Sequence, residues 1–225
     1  CTEWNAVAEA RDFFAVFPSG YPGMSMGKSI VVPRWNSNLF AEKIPGEHTP
    51  DDVAFFVAML DWLKKEYPID PQRIYATGHS NGSMMTQMLM RHLPHVFAGF
   101  GPVAAMETMT AAAPLAPMLD VGIPAWYVFG EYDVGDKWDI VPGNTNDTAL
   151  QIVCKANGLN YAAREEYQNG NYRHYVWKTA QGEPRVRFTG VKMLPHVYPP
   201  DIAWMLWDEF FCHLHRDETK KIVYT

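Results

Sequence analysis

Apolar residues recur along the 225-residue chain in two patterns. Short continuous runs bounded by glycine or proline are typical of buried strands, and longer stretches with apolar residues at roughly every third or fourth position are typical of amphipathic helices. The two patterns alternate, as they do in βαβ units. The sequence therefore predicts the α/β class, with a mostly parallel sheet and helices on both faces, and a single domain over residues 1–225.

The individual elements are placed from these runs and from their breakers. Strands are predicted at residues 13–17, 73–77, 98–105, 123–129, 172–178 and 186–194. Helices are predicted from a cap at Thr49 to Pro68, through a Met-rich stretch ending near Pro94, at 148–157 and at 201–215. Residues 18–50 read as a long loop with a brief extended stretch at 30–32, and 106–122 have no clear pattern.

Composition and charge exclude several classes of protein. Hydrophobic residues make up 48% of the chain and charged residues 20%, which is ordinary globular composition. The net charge of −6 comes without a Lys/Arg stripe, so no nucleic-acid partner is predicted. No apolar run reaches the roughly 18 residues of a membrane span. Three cysteines without a C-x-x-C pair predict neither a disulfide scaffold nor a zinc site.

The strongest chemical signal is Gly78-His79-Ser80-Asn81-Gly82, which lies directly between a predicted strand and a predicted helix. This is the context that a nucleophile elbow requires, because the sharp turn holds the serine hydroxyl out above the sheet. We expect crowding beside the serine to favour glycine at both flanking positions. Ser80 is therefore the predicted nucleophile, and the backbone N–H of Asn81, at the start of the helix, is a predicted oxyanion donor.

A serine nucleophile needs an imidazole as general base and a carboxylate to orient that imidazole. In this architecture the chain order is Ser, then Asp or Glu, then His. The acid is expected just after the strand at 123–129, where Asp133 is the preferred candidate. Glu131, Asp136 and Asp139 share that loop and remain alternatives.

The base is expected between the last sheet strand and the last helix. Of eight histidines, only His196 occupies that place. His79 adjoins the nucleophile, but its side chain should leave the elbow in another direction, so a packing role is predicted. Trp138, in the loop after the acid, is the tryptophan predicted to touch substrate.

These residues resemble the polyhydroxybutyrate depolymerase and feruloyl esterase group of α/β-hydrolases, carbohydrate esterase family one. The resemblance is most specific between Asp70 and Met85, and looser around the acid and base and in the first 18 residues. It implies an α/β-hydrolase fold and a serine esterase that works without metal or cofactor. It also implies a secreted enzyme, since polymeric substrates stay outside the cell.

The implied substrates are feruloyl or acetyl esters of plant cell-wall polysaccharide. A polyhydroxyalkanoate polyester is the alternative, a peptide is a third choice, and a catalytically weak carbohydrate-binding or ligand-binding relative is the alternative of another class. The group has strands ahead of the position of Trp4, including a loop that supplies a second oxyanion N–H. The resemblance therefore implies that the second donor is not in this sequence. Either the chain is a fragment that lacks an N-terminal segment or additional domains, or the missing part is on another chain, or the oxyanion group has been rebuilt. Upstream residues are expected to raise esterase rates.

Overall fold

The computed structural model describes residues 2–22, 33–37, 50–106, 121–133, 138–199 and 201–225, and its centre is a six-stranded sheet. The strands in chain order are β1 Tyr75–His79, β2 Gly99–Val103, β3 Ala125–Tyr132, β4 Glu165–Asn169, β5 Tyr172–Lys178 and β6 Pro184–Pro195. They lie in the order β1-β2-β3-β6-β5-β4. Strands β1, β2, β3 and β6 are parallel, β5 pairs antiparallel with β6, and β4 pairs antiparallel with β5. The predicted mostly parallel sheet is confirmed.

Helices cover both faces of this sheet. They are α1 Trp4–Arg11, α2 Asp52–Glu66, α3 Asn81–His92, α4 Thr145–Ala156 and α5 Ile202–Asp208, followed by a 3-10 turn at Phe211–His213 and a hairpin of β7 Leu214–Arg216 and β8 Ile222–Tyr224. Buried side chains of α2, α3 and α4 form one core with the sheet, and those of α1 and α5 form the other. The predicted α/β class with helices on both faces is therefore confirmed, and the parallel strands bring their carboxyl ends to one edge.

Several predicted boundaries move because side chains close a turn or cap a helix. The first strand begins at Tyr75 rather than at residue 73, since Asp70 accepts hydrogen bonds from the two residues that follow Pro71. Helix α4 begins three residues early, because the Asn144 side chain accepts from the N–H of Asp147.

The N-cap of helix α2 differs from the one that the sequence predicts. Asp51 is its N-cap, and the Asp51 carboxylate accepts from the N–H of Ala54 at 2.9 Å. Thr49 lies outside the described residues, as does the extended stretch predicted at 30–32. The chain leaves helical geometry at Tyr67, as predicted from Pro68.

The strand predicted at residues 13–17 is wrong. This segment has no regular secondary structure, and Phe14 and Phe17 are 57% and 64% exposed. A strand needs a hydrogen-bonding neighbour, and no described strand pairs with these residues. Phe13 instead stacks on Trp207, with ring centroids 3.8 Å apart.

The final helix is also shorter than predicted, because it ends at Asp208 instead of continuing to residue 215. The aromatic run beyond it packs in the core as a 3-10 turn, and the chain then enters the β7–β8 hairpin. Asp217 closes that hairpin by accepting from the N–H groups of Thr219 and Lys221. This is turn chemistry that the helical pattern of the aromatic residues concealed.

Strand β4 was not predicted at all. All five of its residues are exposed, so they show no alternation of apolar and polar positions. A charged, solvated strand at the end of a sheet is a common way to protect an open edge. Among the described residues, no helix has the length and the apolar character needed to cross a membrane.

His174 of β5 is buried in the sheet in its neutral form. The Trp126 indole donates to the Thr189 hydroxyl at 2.7 Å, and that hydroxyl lies 2.9 Å from Nδ1 of His174, to which it can donate. Burial, followed by the positive charge of the nearby Arg187, lowers the pKa of His174 to about 4. Because this folded-state pKa is depressed, the folded protein resists protonation that the unfolded chain accepts at a pKa of about 6.5.

We therefore expect stability contributed by His174 to be present above pH 6.5 and to be lost as the pH falls towards 4. At pH 5 this loss should amount to about 2 kcal/mol relative to pH 8. Urea unfolding at both pH values checks it. His174→Gln should lose correspondingly less stability on acidification, whereas a variant of the exposed His95, His95→Gln, should behave as wild type. Equal losses in all three proteins would contradict the assignment.

Candidate active site

Ser80 lies at the turn between β1 and α3, with a positive φ of 54° and a ψ of −114°. Such a conformation costs on the order of 1–3 kcal/mol for a residue other than glycine, and it persists only where the surroundings enforce it. The predicted crowding is found at Gly78, where a Cβ would lie 2.3 Å from the carbonyl oxygen of Gly82. At Gly82 a Cβ would meet no described atom within 4 Å, so the same reason does not apply there.

The structure brings Ser80, His196 and Asp133 into one hydrogen-bonded chain. Nε2 of His196 lies 2.9 Å from Oγ of Ser80, and Nδ1 of His196 lies 2.5 Å from Oδ1 of Asp133. A neutral imidazole with its proton on Nδ1 donates to the carboxylate and accepts from the serine hydroxyl. This is the arrangement that lets a serine lose its proton as it attacks.

The three residues follow the carboxyl ends of β1, β3 and β6. Strands β3 and β6 approach closely at their ends, since a Cβ on Gly130 would lie 2.3 Å from the carbonyl oxygen of Leu194. The Asp133 side chain is 3% exposed, while that of His196 is 36% exposed. The carboxylate is thus shielded from water, and the imidazole keeps an open side.

The other acids of the loop are engaged elsewhere. Glu131 accepts from the backbone N–H of Met193 at 2.7 Å. Asp139 accepts from Arg173 at 2.7 Å and from the Tyr175 hydroxyl at 2.5 Å. Asp136 lies outside the described residues. Of the described candidates, Asp133 is therefore the one that contacts His196.

The N–H of Asn81 is positioned to receive negative charge. As the first residue of α3, Asn81 has no acceptor for its N–H within the helix, and the helix dipole adds positive potential there. No hydrogen bond among the described residues uses this N–H. The second oxyanion donor remains a prediction about residues outside this sequence.

His79 packs against the catalytic candidates, as expected. Its ring centroid lies 4.8 Å from that of His196. Burial, followed by the neighbouring imidazole of His196, lowers the pKa of His79, which keeps the ring neutral. His79 therefore adds no positive charge beside the His196 ring.

Trp138 lies half-buried against β6, where its carbonyl oxygen would be 2.1 Å from a Cβ on Gly190. A contact between Trp138 and substrate stays a prediction. Among the described residues, no group of His, Cys, Asp and Glu side chains could hold a metal ion.

A feature that the sequence did not indicate is the segment 33–37, which lies against the elbow. Its Trp35 exchanges two hydrogen bonds with the Asn81 side chain. The pairing joins residues 46 positions apart, so no local pattern announces it.

A large cavity in the described part of the structure lies beside the elbow rather than over it. Its volume is about 660 Å³, and it runs along the free edge of β1 between α2, α3 and residues 13–17. Gly78 and His79 line it, whereas Ser80 and His196 do not. This cavity therefore reaches the turn beside the nucleophile without including the contact between Ser80 and His196.

Comparison with known proteins adds a family match and several relatives. A model described as the prolyl oligopeptidase family matches residues 34–117. Poly(3-hydroxyalkanoate) depolymerase C of Paucimonas lemoignei is 27% identical over 221 residues, covering 88% of this chain and 51% of that protein. A bifunctional acetylxylan esterase/xylanase of Neocallimastix patriciarum is 28% identical over 179 residues, covering 78% and 23%. Acetylxylan esterase A of Emericella nidulans is 31% identical over 81 residues, covering 36% and 21%.

The chain thus spans about half the length of the depolymerase and about a quarter of the bifunctional enzyme. Two solved structures are also similar. A thermostable esterase shares 19% identity, with a TM-score of 0.44 over 80% of this chain and 41% of its own. An acetyl xylan esterase from Aspergillus awamori shares 15% identity, with a TM-score of 0.48 over 68% and 65%.

Proposed function

We propose that this chain, an α/β-hydrolase of the esterase group, is a serine hydrolase that cleaves carboxylic esters through an acyl-enzyme. The observation that carries the proposal is the continuous hydrogen-bonded chain from Ser80 Oγ through the His196 imidazole to the Asp133 carboxylate. This hydrogen-bonded arrangement favours a hydrolase over a catalytically weak binding relative, because a binding role does not need a serine, a base and an orienting acid in line.

In the first half of the reaction, His196 removes the hydroxyl proton of Ser80 as the oxygen attacks the ester carbonyl. Asp133 holds the proton on Nδ1 and stabilises the imidazolium that forms. The Asn81 N–H donates to the developing oxyanion. The tetrahedral intermediate then collapses, the C–O bond to the alcohol breaks, and His196 returns its proton to the departing alcohol.

In the second half, water attacks the acyl-enzyme and His196 takes one of its protons. Collapse of the second tetrahedral intermediate releases the carboxylic acid and restores the Ser80 hydroxyl with that proton. The exposed side of His196 gives water a route to the base. No metal or organic cofactor takes part in any of these steps.

For the substrate we propose acetyl esters carried by a xylan-type polysaccharide. Support comes from the two relatives whose names are acetylxylan esterases. A feruloyl acyl group is implied only by the sequence resemblance. Since a polysaccharide stays outside the cell, the proposal includes a secreted enzyme.

A polyhydroxyalkanoate polyester is the second candidate. The relative that aligns with 88% of this chain is named as a depolymerase of such a polymer. Apolar side chains are also exposed beside the acid and the base, with Tyr132 64%, Met193 69% and Val197 44% exposed. An apolar rim of this kind suits an apolar polymer chain better than a sugar chain.

A labelling experiment joined to a substrate panel tests the proposal. A fluorophosphonate should modify Ser80, and peptide mass spectrometry should locate the adduct. We expect hydrolysis of p-nitrophenyl acetate and acetate release from acetylated xylan, with slower cleavage of methyl ferulate, hydroxybutyrate oligomers and a prolyl amide.

Each other outcome has a definite meaning. A folded protein that is not labelled would support a binding role. Labelling with cleavage of the prolyl amide alone would indicate a peptidase, in keeping with the description of the matching family model. Fastest cleavage of the hydroxybutyrate oligomers would replace the polysaccharide with the polyester.

A further inference from the structure

The side chain of Asn81 binds the backbone of Trp35 in both directions. The Trp35 N–H donates to Oδ1 of Asn81 at 2.8 Å, and Nδ2 of Asn81 donates to the Trp35 carbonyl at 3.1 Å. Nδ2 also lies 3.5 Å from the hydroxyl of Ser37. A primary amide that pairs with both polar groups of one residue is fixed in orientation.

The segment that holds Asn81 is itself anchored. The Asn36 N–H donates to the buried Asp52 carboxylate at 2.5 Å, and the Asn36 side chain donates to the carbonyl of Pro50 at 2.9 Å. The Trp35 ring packs against Phe56, with centroids 5.2 Å apart. Segment 33–37 therefore connects the start of α2 to the start of α3.

Asn81 carries two groups on one Cα: the amide that Trp35 holds, and the backbone N–H that faces the developing oxyanion in the proposed mechanism. The neighbouring Ser80 has a strained φ of 54°, which the surroundings must enforce. We propose that the Asn81 side chain is a positioning residue for ester hydrolysis, and that its pairing with Trp35 fixes the elbow so that the N–H points at the oxyanion. This inference rests on the proposed function.

Loss of the pairing should slow the chemical step more than it weakens binding. In Asn81→Ala the backbone N–H remains, but the elbow can shift against segment 33–37. A misplacement of about 1 Å costs on the order of a hundredfold in rate, so we expect kcat to fall about 10- to 100-fold with KM within about twofold.

A matched control exists in the same chain. Asn157 makes the same reciprocal pairing with Ile123, accepting from its N–H at 3.0 Å and donating to its carbonyl at 3.1 Å. Ile123 precedes β3, whose other end leads to Asp133, so this pairing lies at the end of the sheet away from the site. Asn157→Ala should lower stability as Asn81→Ala does, and should leave kcat unchanged.

The experiment compares wild type, Asn81→Ala, Asn81→Ser and Asn157→Ala. It measures kcat and KM for p-nitrophenyl acetate, the rate of Ser80 labelling by a fluorophosphonate, and urea unfolding. Asn81→Ser retains a polar side chain, but this side chain is too short to reach both the N–H and the carbonyl of Trp35. It therefore tests the same pairing if the alanine variant does not fold. Both variants of Asn81 should show reduced kcat and slow labelling while they remain folded.

The positioning role is overturned if a folded variant of Asn81 has the kcat of Asn157→Ala, or if its KM rises while kcat is kept. A wild-type protein that neither hydrolyses esters nor reacts with the fluorophosphonate overturns the proposed function, and the positioning role with it. Activity in wild type and in the Asn81 variants alike removes the positioning role alone.

Discussion

Ser80→Ala should reduce kcat for p-nitrophenyl acetate by roughly a million-fold, the loss seen when the nucleophile of a serine hydrolase is removed. The hydroxyl lies 2.9 Å from Nε2 of His196, and no other described nucleophile shares that contact. The variant should stay folded, because alanine is smaller than serine and the energetic cost of the positive φ at this position is similar for both residues. Steady-state kinetics and an unfolding curve on the same preparation measure both effects.

Ser83→Ala, directly after the same elbow, provides the matched control. Ser83 is fully buried in α3, and its hydroxyl donates to the carbonyl of Ala105 at 2.8 Å. Loss of this hydrogen bond should lower the free energy of unfolding by about 1 kcal/mol and leave kcat within about threefold of wild type. If Ser80→Ala kept more than a hundredth of the activity, the acyl-enzyme mechanism through Ser80 would be wrong.

The site could be anticipated from the sequence because its signals are local. The elbow is five consecutive residues in a strand-to-helix context, and the acid and base each follow a predicted strand. Parallel strands then bring Ser80, Asp133 and His196 to one edge of the sheet. The choice of Asp133 over Asp139 or Glu131 needed coordinates, because it depends on which carboxylate is already occupied by another donor.

The features that could not be predicted from the sequence depend on partners that lie far away along the chain. Residues 13–17 have the composition of a buried strand, but strand formation needs a neighbour that a local pattern cannot reveal. The aromatic residues after Asp208 fit a helix, yet the chain turns to form a hairpin closed at Asp217. The pairing of Asn81 with Trp35 likewise links two segments whose proximity only the folded chain creates.

The largest expected effect on stability lies at the opposite end of the sheet, at Arg216. This side chain is 1% exposed, and burial lowers its pKa to about 10, which leaves it charged at neutral pH. All five of its N–H groups donate to backbone carbonyls, which belong to Pro94, Phe97, Val121, Gly122 and Lys220. It therefore joins the ends of α3, β2 and β3 to the C-terminal hairpin.

Arg216→Met should lower the free energy of unfolding by about 4 kcal/mol or more, because it removes a well-packed guanidinium and leaves several buried carbonyls without donors. Arg216→Lys should lower the free energy of unfolding by about half as much, since an ammonium has three donors for these five acceptors. Arg11, which is exposed and pairs with Asp208, is the control, and Arg11→Met should leave the urea midpoint close to wild type. A midpoint for Arg216→Met that matched the Arg11 variant would show that water replaces the lost donors, and that Arg216 does not stabilise the junction.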